Sequence, residues 1–161
     1  MTETPASGSR KYKPRPEDIA SPDAIIAALY TIISGPAGTR NWSRLRSLFL
    51  DGARLIATGR RIHREGGFQA MSLDEWIEDV GGFLEENDFY ESEIVRHADR
   101  FGNMIQAFST YEARRSLDDE KPFVRGVNSF QLFNDGKRWW VVSIYWTAER
   151  PDLPIPEKYL P

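Results

Sequence analysis

The chain has 161 residues and a mass of 18.5 kDa, the size of one domain, and its formal charge of −3, from 21 basic and 24 acidic side chains, gives no net attraction to nucleic acid or anionic lipid. Zero cysteines exclude disulfides, iron–sulfur clusters, thiolate zinc sites and a cysteine nucleophile. No apolar run of roughly 18 residues is present and no apolar stretch follows the basic residues near the N-terminus, so neither a membrane span nor a secretory signal is expected and a cytoplasmic protein is predicted.

Residues 1–16 mix Thr, Pro, Ser, Gly and Lys without periodicity and read as a flexible tail ahead of a domain over 17–149. Ser21-Pro22 reads as an N-cap with proline in the first helical turn, and Asp23 suits the helix dipole. Ile25, Ile26, Leu29, Ile32 and Ile33 then follow at helical spacing up to Gly35-Pro36. A second helix is predicted from about Trp42 to Leu50, and Asp51-Gly52 turns the chain into a strand from Ala53 to Thr58. The charged stretch from Arg60 to Gly67 suggests a hairpin connection to a short strand near Phe68 to Met71. Ser72 and Glu75 have capping-box spacing, ahead of a third helix whose apolar face includes Leu73, Trp76, Ile77, Val80, Phe83 and Leu84 and whose last turn is weakened by Gly81-Gly82.

From Phe89 the apolar period falls to two, which predicts strands from Phe89 to Asp99, Asn103 to Arg114, Phe123 to Asn134 and Lys137 to Glu149. Arg100-Phe101-Gly102 and Asn134-Asp135-Gly136 read as hairpin turns, so the neighbours they join are antiparallel. Pro151, Pro154, Pro156 and Pro161 mark residues 150–161 as an extended, proline-rich tail.

Helices gathered before a meander of long strands indicate an α+β fold. Three segments resemble the nuclear transport factor 2-like superfamily: Leu48-Phe49-Leu50-Asp51-Gly52-Ala53, Phe101-Gly102-Asn103-Met104-Ile105-Gln106-Ala107, and Phe133-Asn134-Asp135-Gly136-Lys137-Arg138-Trp139-Trp140-Val141-Val142-Ser143-Ile144. The resemblance spans about residues 20–149. It implies a strongly curved, mixed, mostly antiparallel sheet wrapped around three N-terminal helices, a cystatin-like cone with an internal pocket for a small, mostly apolar molecule. That superfamily includes ketosteroid isomerases, dehydratases, polyketide cyclases and non-catalytic adaptors, so the fold by itself does not assign a function.

The isomerase pattern places a carboxylate base on the strand after the second helix, with a tyrosine and a protonated aspartic acid as oxyanion donors. Here the best alignment puts Ala57 at the base, and Tyr30 within one position of the tyrosine. His97 and Asp99 stand two apart on a predicted strand and so share a face, which makes them the candidate proton-transfer pair. The competing reading is a polar strand end beside the Arg100 turn. His63 among Arg60, Arg61 and Arg64 makes a poor metal ligand, and with two histidines in the chain no metal or other cofactor is expected. Strict alternation along the last strand turns Trp139, Val141, Ser143 and Tyr145 into the cone by resemblance, with Ile105, Ala107, Ser109 and Tyr111 beside them. The ligand-binding candidates are therefore Tyr30, Trp76, Ser109, Tyr111, Trp139, Ser143 and Tyr145.

Two functions compete. One is a small-molecule-binding domain, of the isomerase, dehydratase or cyclase type, acting on an apolar or aromatic compound. The other is a non-catalytic dimeric interaction or accessory module whose cone is filled by its own side chains. The same alternation puts Trp140, Val142, Ile144 and Trp146 on the outer sheet face, where a homodimer interface or the folded-back proline-rich tail would cover them.

Overall fold

The computed structural model describes residues 11–59 and 67–161. Most of the predicted N-terminal tail and residues 60–66, with His63 and the arginines beside it, lie outside the described residues.

Helix α1 (Pro22–Ile33) starts where Ser21 Oγ accepts the Ala24 amide at 3.0 Å and proline occupies the first turn. Helix α2 (Trp42–Arg46) is capped by the Asn41 side chain on the Arg44 amide at 2.9 Å. It stops short of the predicted Leu50, because Phe49 already pairs with Val141 and begins strand β1 (Phe49–Thr58). Within β1, Gly52 at φ 78° takes a left-handed conformation where the register shifts. Helix α3 (Leu73–Glu86) opens on a complete capping box, with Ser72 N–H donating to Glu75 at 2.6 Å and Glu75 N–H to Ser72 Oγ at 3.2 Å. It runs through Gly81-Gly82 to Glu86.

The remaining strands are β2 (Phe68–Met71), β3 (Tyr90–Phe101), β4 (Met104–Arg114), β5 (Val124–Asn134) and β6 (Trp139–Ala148). They form one open, six-stranded sheet in the order β2-β1-β6-β5-β4-β3. Every neighbouring pair is antiparallel except β1 with β6. Apolar faces of α1 and α2, led by Ile25, Ile26 and Leu45, pack with Phe130, Leu132 and Val141 of the sheet. Ahead of α1, buried Asp18 accepts two 2.8 Å hydrogen bonds from Arg44, and the Ile19 carbonyl accepts the Trp139 amide at 3.1 Å. These contacts fix the start of the domain to α2 and β6.

Two β-bulges bend the sheet and reverse the side-chain phase. In β3, Glu93 pairs with Tyr111 and Val95 with Thr110, which leaves Ile94 unmatched. In β6, Val141 pairs with Leu132 and Ser143 with Gln131, which leaves Val142 unmatched. An extra residue turns every later side chain to the opposite face and increases local twist. The predicted interior phase of β6 therefore holds for Trp139 and Val141, both buried, and fails beyond them. Past the bulge, Ile144, Trp146 and Ala148 line the cone, whereas Ser143 lies on the outer face and Tyr145 is 49% exposed.

This corrects the outer apolar patch as well. Ile144 and Trp146 point inward, and Trp140 is buried under Arg138 with its indole N–H donating to Asp135 at 2.8 Å. The proline-rich tail folds over part of the outer face: Thr110 Oγ1 donates to the Tyr159 carbonyl at 2.7 Å, the Tyr159 ring packs on Phe108, and Ile155 is buried. The patch on which the sequence places a homodimer interface is thus broken up by the bulge, and a surface beside it is occupied by the chain itself. Removing residues 155–161 takes away buried Ile155 and the Tyr159 cover, worth about 2–4 kcal/mol together. Thermal denaturation of the truncated chain is expected to show a drop of roughly 4–16 °C; an unchanged melting temperature would show that the tail contributes nothing to the fold.

Candidate functional site

Helical spacing puts Tyr30 on the buried stripe of α1, and its hydroxyl reaches the sheet at two points. Tyr30 Oη lies 2.7 Å from Ser109 Oγ on β4 and accepts Asn128 Nδ2 of β5 at 3.0 Å. Ser109 Oγ in turn makes a short hydrogen bond to the Glu93 carboxylate of β3. Arg96 grips that carboxylate through Nε at 2.9 Å and Nη2 at 2.6 Å, and its other arm meets Asp23 at 2.5 Å.

The proton positions along this chain follow from the chemistry of its ends. A carboxylate held by a guanidinium only accepts, so the single Ser109 proton goes to Glu93. Ser109 must then accept from Tyr30, and Tyr30 accepts from the Asn128 amide, which can only donate from its nitrogen. The chain runs one way, from Asn128 through Tyr30 and Ser109 to Glu93. Burial, reinforced by the charge of nearby Glu91, pushes the Tyr30 phenol well above the ordinary tyrosine range, so it remains a hydroxyl.

Glu91 stands apart from that chain. Its backbone is fixed by Ser34 at the end of α1, whose hydroxyl donates to the Glu91 carbonyl and accepts its amide, both at 2.9 Å. Its carboxyl borders the cone and, among the described residues, has one weak partner, Asn128 Nδ2 at 3.4 Å. Burial raises its pKa from 4.5 to about 7, against the small lowering effect of that amide. Glu91 is therefore a carboxyl group that exchanges its proton near neutrality, the property required of a general acid or base.

A cavity of about 1020 Å³ lies between the concave sheet face and the helices, with Glu91, Tyr30 and Asn128 on its wall. Trp76, Phe83, Phe130, Ile144 and Trp146 supply much of its apolar lining. Tyr111 also borders it, and its hydroxyl fits only because Gly126 stands opposite: a Cβ there would lie 2.5 Å from that oxygen. Glu91 and Tyr30 also border a shallower hollow of about 530 Å³, shared with Glu93 and Arg96, so they form the partition between the two.

Of the residues singled out in the sequence, Tyr30, Trp76 and Tyr111 line this cavity, and Ser109 lies behind it in the hydrogen-bonded chain. Trp139 is buried in the core near Arg100, while Ser143 and Tyr145 lie on the other face. The His97–Asp99 pair is not in the cone. His97 sits across from Phe108 against the Tyr159 ring, at 5.6 Å between centroids, and exposed Asp99 faces Gln106, because the bulge at Ile94 turns both outward. The sequence reading missed Glu91, Glu93 and Asn128. The available signal was Glu91-Ser92-Glu93, two acids on one face of a strand expected to bury its inner side. Among the described residues no group of three or more His, Cys, Asp or Glu side chains is arranged to hold a metal ion, and no helix is long and apolar enough to cross a membrane.

No protein-family model and no curated protein matches the chain. Solved structures do share its fold. An NTF-2-like protein of unknown function from Silicibacter pomeroyi aligns with a TM-score of 0.51 at 17% identity, over 81% of this chain and 94% of its own. An NTF2-like protein of unknown function from Shewanella baltica aligns with a TM-score of 0.50 at 14% identity, over 78% of this chain and 89% of its own. The fold is accordingly the nuclear transport factor 2-like α+β cone, with its sheet left open.

The position of Glu91 has a consequence for stability. A carboxyl whose folded pKa is raised binds its proton more tightly folded than unfolded, so its contribution is present below the unfolded value of 4.5 and is lost as pH rises through about 7. The loss is on the order of 3 kcal/mol. The difference in melting temperature between Glu91→Gln and the parent is expected to grow in favour of the variant between about pH 5 and about pH 8. A difference that stays constant with pH would place the Glu91 titration elsewhere.

Proposed function

We propose that the chain binds a small, mostly apolar or aromatic molecule in the cone and that Glu91 takes a proton from it or returns one. The observation that carries this reading is the arrangement of Glu91 beside Tyr30 and Asn128 on the wall of one large, largely apolar cavity. The volume of about 1020 Å³ favours a ligand over a cone filled by its own side chains. Isomerase, dehydratase and cyclase chemistry on carbonyl compounds share removal of a proton next to the carbonyl, which a carboxylate of near-neutral pKa performs.

The roles within the site differ from the isomerase pattern. The strand after the second helix offers Ala57, so the base comes from β3 instead. Tyr30 gives its proton to Ser109 and serves as a positioning residue that orients Asn128 toward Glu91. His97 and Asp99 are too far outside the cone to share this work.

Fluorescence of N-phenyl-naphthylamine, which brightens in apolar surroundings, tests binding, with Ala57→Trp as a variant that blocks the cavity. Proton-deuteron exchange into β-tetralone, followed by proton NMR, tests the chemistry. The parent chain is expected to accelerate exchange and Glu91→Gln to lose that acceleration by about a hundredfold or more, while still binding the dye. Failure of the dye to bind in an Ala57-sensitive way, or exchange that Glu91→Gln leaves intact, would contradict the proposal.

A further inference from the structure

We infer that the molecule held in the cone carries a carboxylate-type anionic group at one end and that Arg115, at the cavity mouth, receives it. This rests on the ligand-binding reading above and adds the charge and orientation of the ligand.

Arg115 follows directly on β4, which ends at Arg114. Ser109, Tyr111 and Ala113 face inward along that strand, and Arg115, in the bend just past its end, borders the cavity. Ala113 is the register partner of Glu91, so the arginine stands just past the strand position that faces the proposed base.

The guanidinium is held by rings. Its carbon lies 4.8 Å from the Phe83 centroid on α3 and 4.4 Å from that of Phe123, just before β5. Stacking uses the faces of the guanidinium and leaves its in-plane N–H groups free to grip a carboxylate with two parallel bonds. The nearby acid is directed elsewhere: the Asp119 carboxylate accepts the backbone amides of Arg115 and Ser116, at 3.1 and 2.9 Å.

The other described arginines of the rim are paired. Arg125 pairs with Glu149 at 2.9 Å and Arg150 with Asp152 at 3.1 Å. Arg115 enters none of the ion pairs among the described residues. Asp79 also borders the mouth; like Arg115 it is exposed, but no ring contact holds it. Among the described residues the site thus offers a largely apolar interior and one ring-held, unpaired cation at its entrance, which suits an apolar acid and disfavours an amine.

The test uses N-phenyl-naphthylamine as reporter and three competitors of one shape: biphenyl carboxylate, biphenyl carboxamide and phenylbenzylamine. The carboxylate is expected to displace the dye at a concentration about tenfold or more below that of the amide and the amine. In Arg115→Gln that preference, measured against the amide in the same variant, should fall to about twofold or less, and Arg115→Lys should recover part of it. Equal displacement by acid and amide, a better result with the amine, or a preference that Arg115→Gln leaves intact would each overturn the inference while the cavity reading stands. If the dye shows no Ala57-sensitive binding, the cavity reading fails and the inference with it.

Discussion

The hydrogen-bonded chain from Asn128 through Tyr30 and Ser109 to Glu93 is the constraint on which the rest of this molecule depends. It lies against an apolar interior, where an unmatched polar group costs several times what a matched one contributes. Among the described residues no buried side-chain nitrogen or oxygen is left without a partner. The chain is satisfied because Arg96 closes its far end and reaches back to Asp23 at the start of α1. Asp23 and Tyr30 are two helical turns apart and thus on one face, and Ser34 caps the same helix end while holding the backbone of Glu91. One helix is therefore fastened to β3 at three levels, and this fastening holds Glu91 facing the cavity while its neighbour Glu93 is spent on structure.

The difference between those two carboxylates is environmental. Glu93 has a guanidinium and a hydroxyl, whereas Glu91 has one distant amide and an apolar cavity. Two side chains of the same type, separated by one residue, thereby acquire separate tasks. The cavity itself depends on the bulges at Ile94 and Val142, since an evenly paired sheet would curve less and would turn Ile144 and Trp146 away from the ligand space.

Those bulges also explain how much could be read from the sequence. The helix starts, the capping box, the strands in chain order and the α+β class were legible because they rest on local signals: Ser21-Pro22, Ser72 with Glu75, the glycine turns and the change of period at Phe89, while the cone was implied by the resemblance of three segments to the superfamily. Strand phase was legible only up to each bulge, because a period-two reading assumes that no residue is inserted. The same assumption put Ser143 and Tyr145 inside the cone and offered His97 and Asp99 as its acid–base pair. Asn128 could not be identified from its neighbours at all. Its importance arises from meeting Tyr30 and Glu91, residues distant in sequence that only the folded sheet brings together.

The central claim is that Glu91 is a proton-exchanging carboxyl on the wall of an apolar cavity. Carbon-detected NMR of the glutamate side-chain carboxyls, with the Glu91 signal assigned by its loss in Glu91→Gln, measures this directly. A Glu91 titration midpoint of about 7 is expected, raised from the ordinary value of 4.5. A midpoint near the ordinary value of 4.5 would show that Glu91 is solvated and ionised throughout the neutral range, and the acid–base reading of the site would fall.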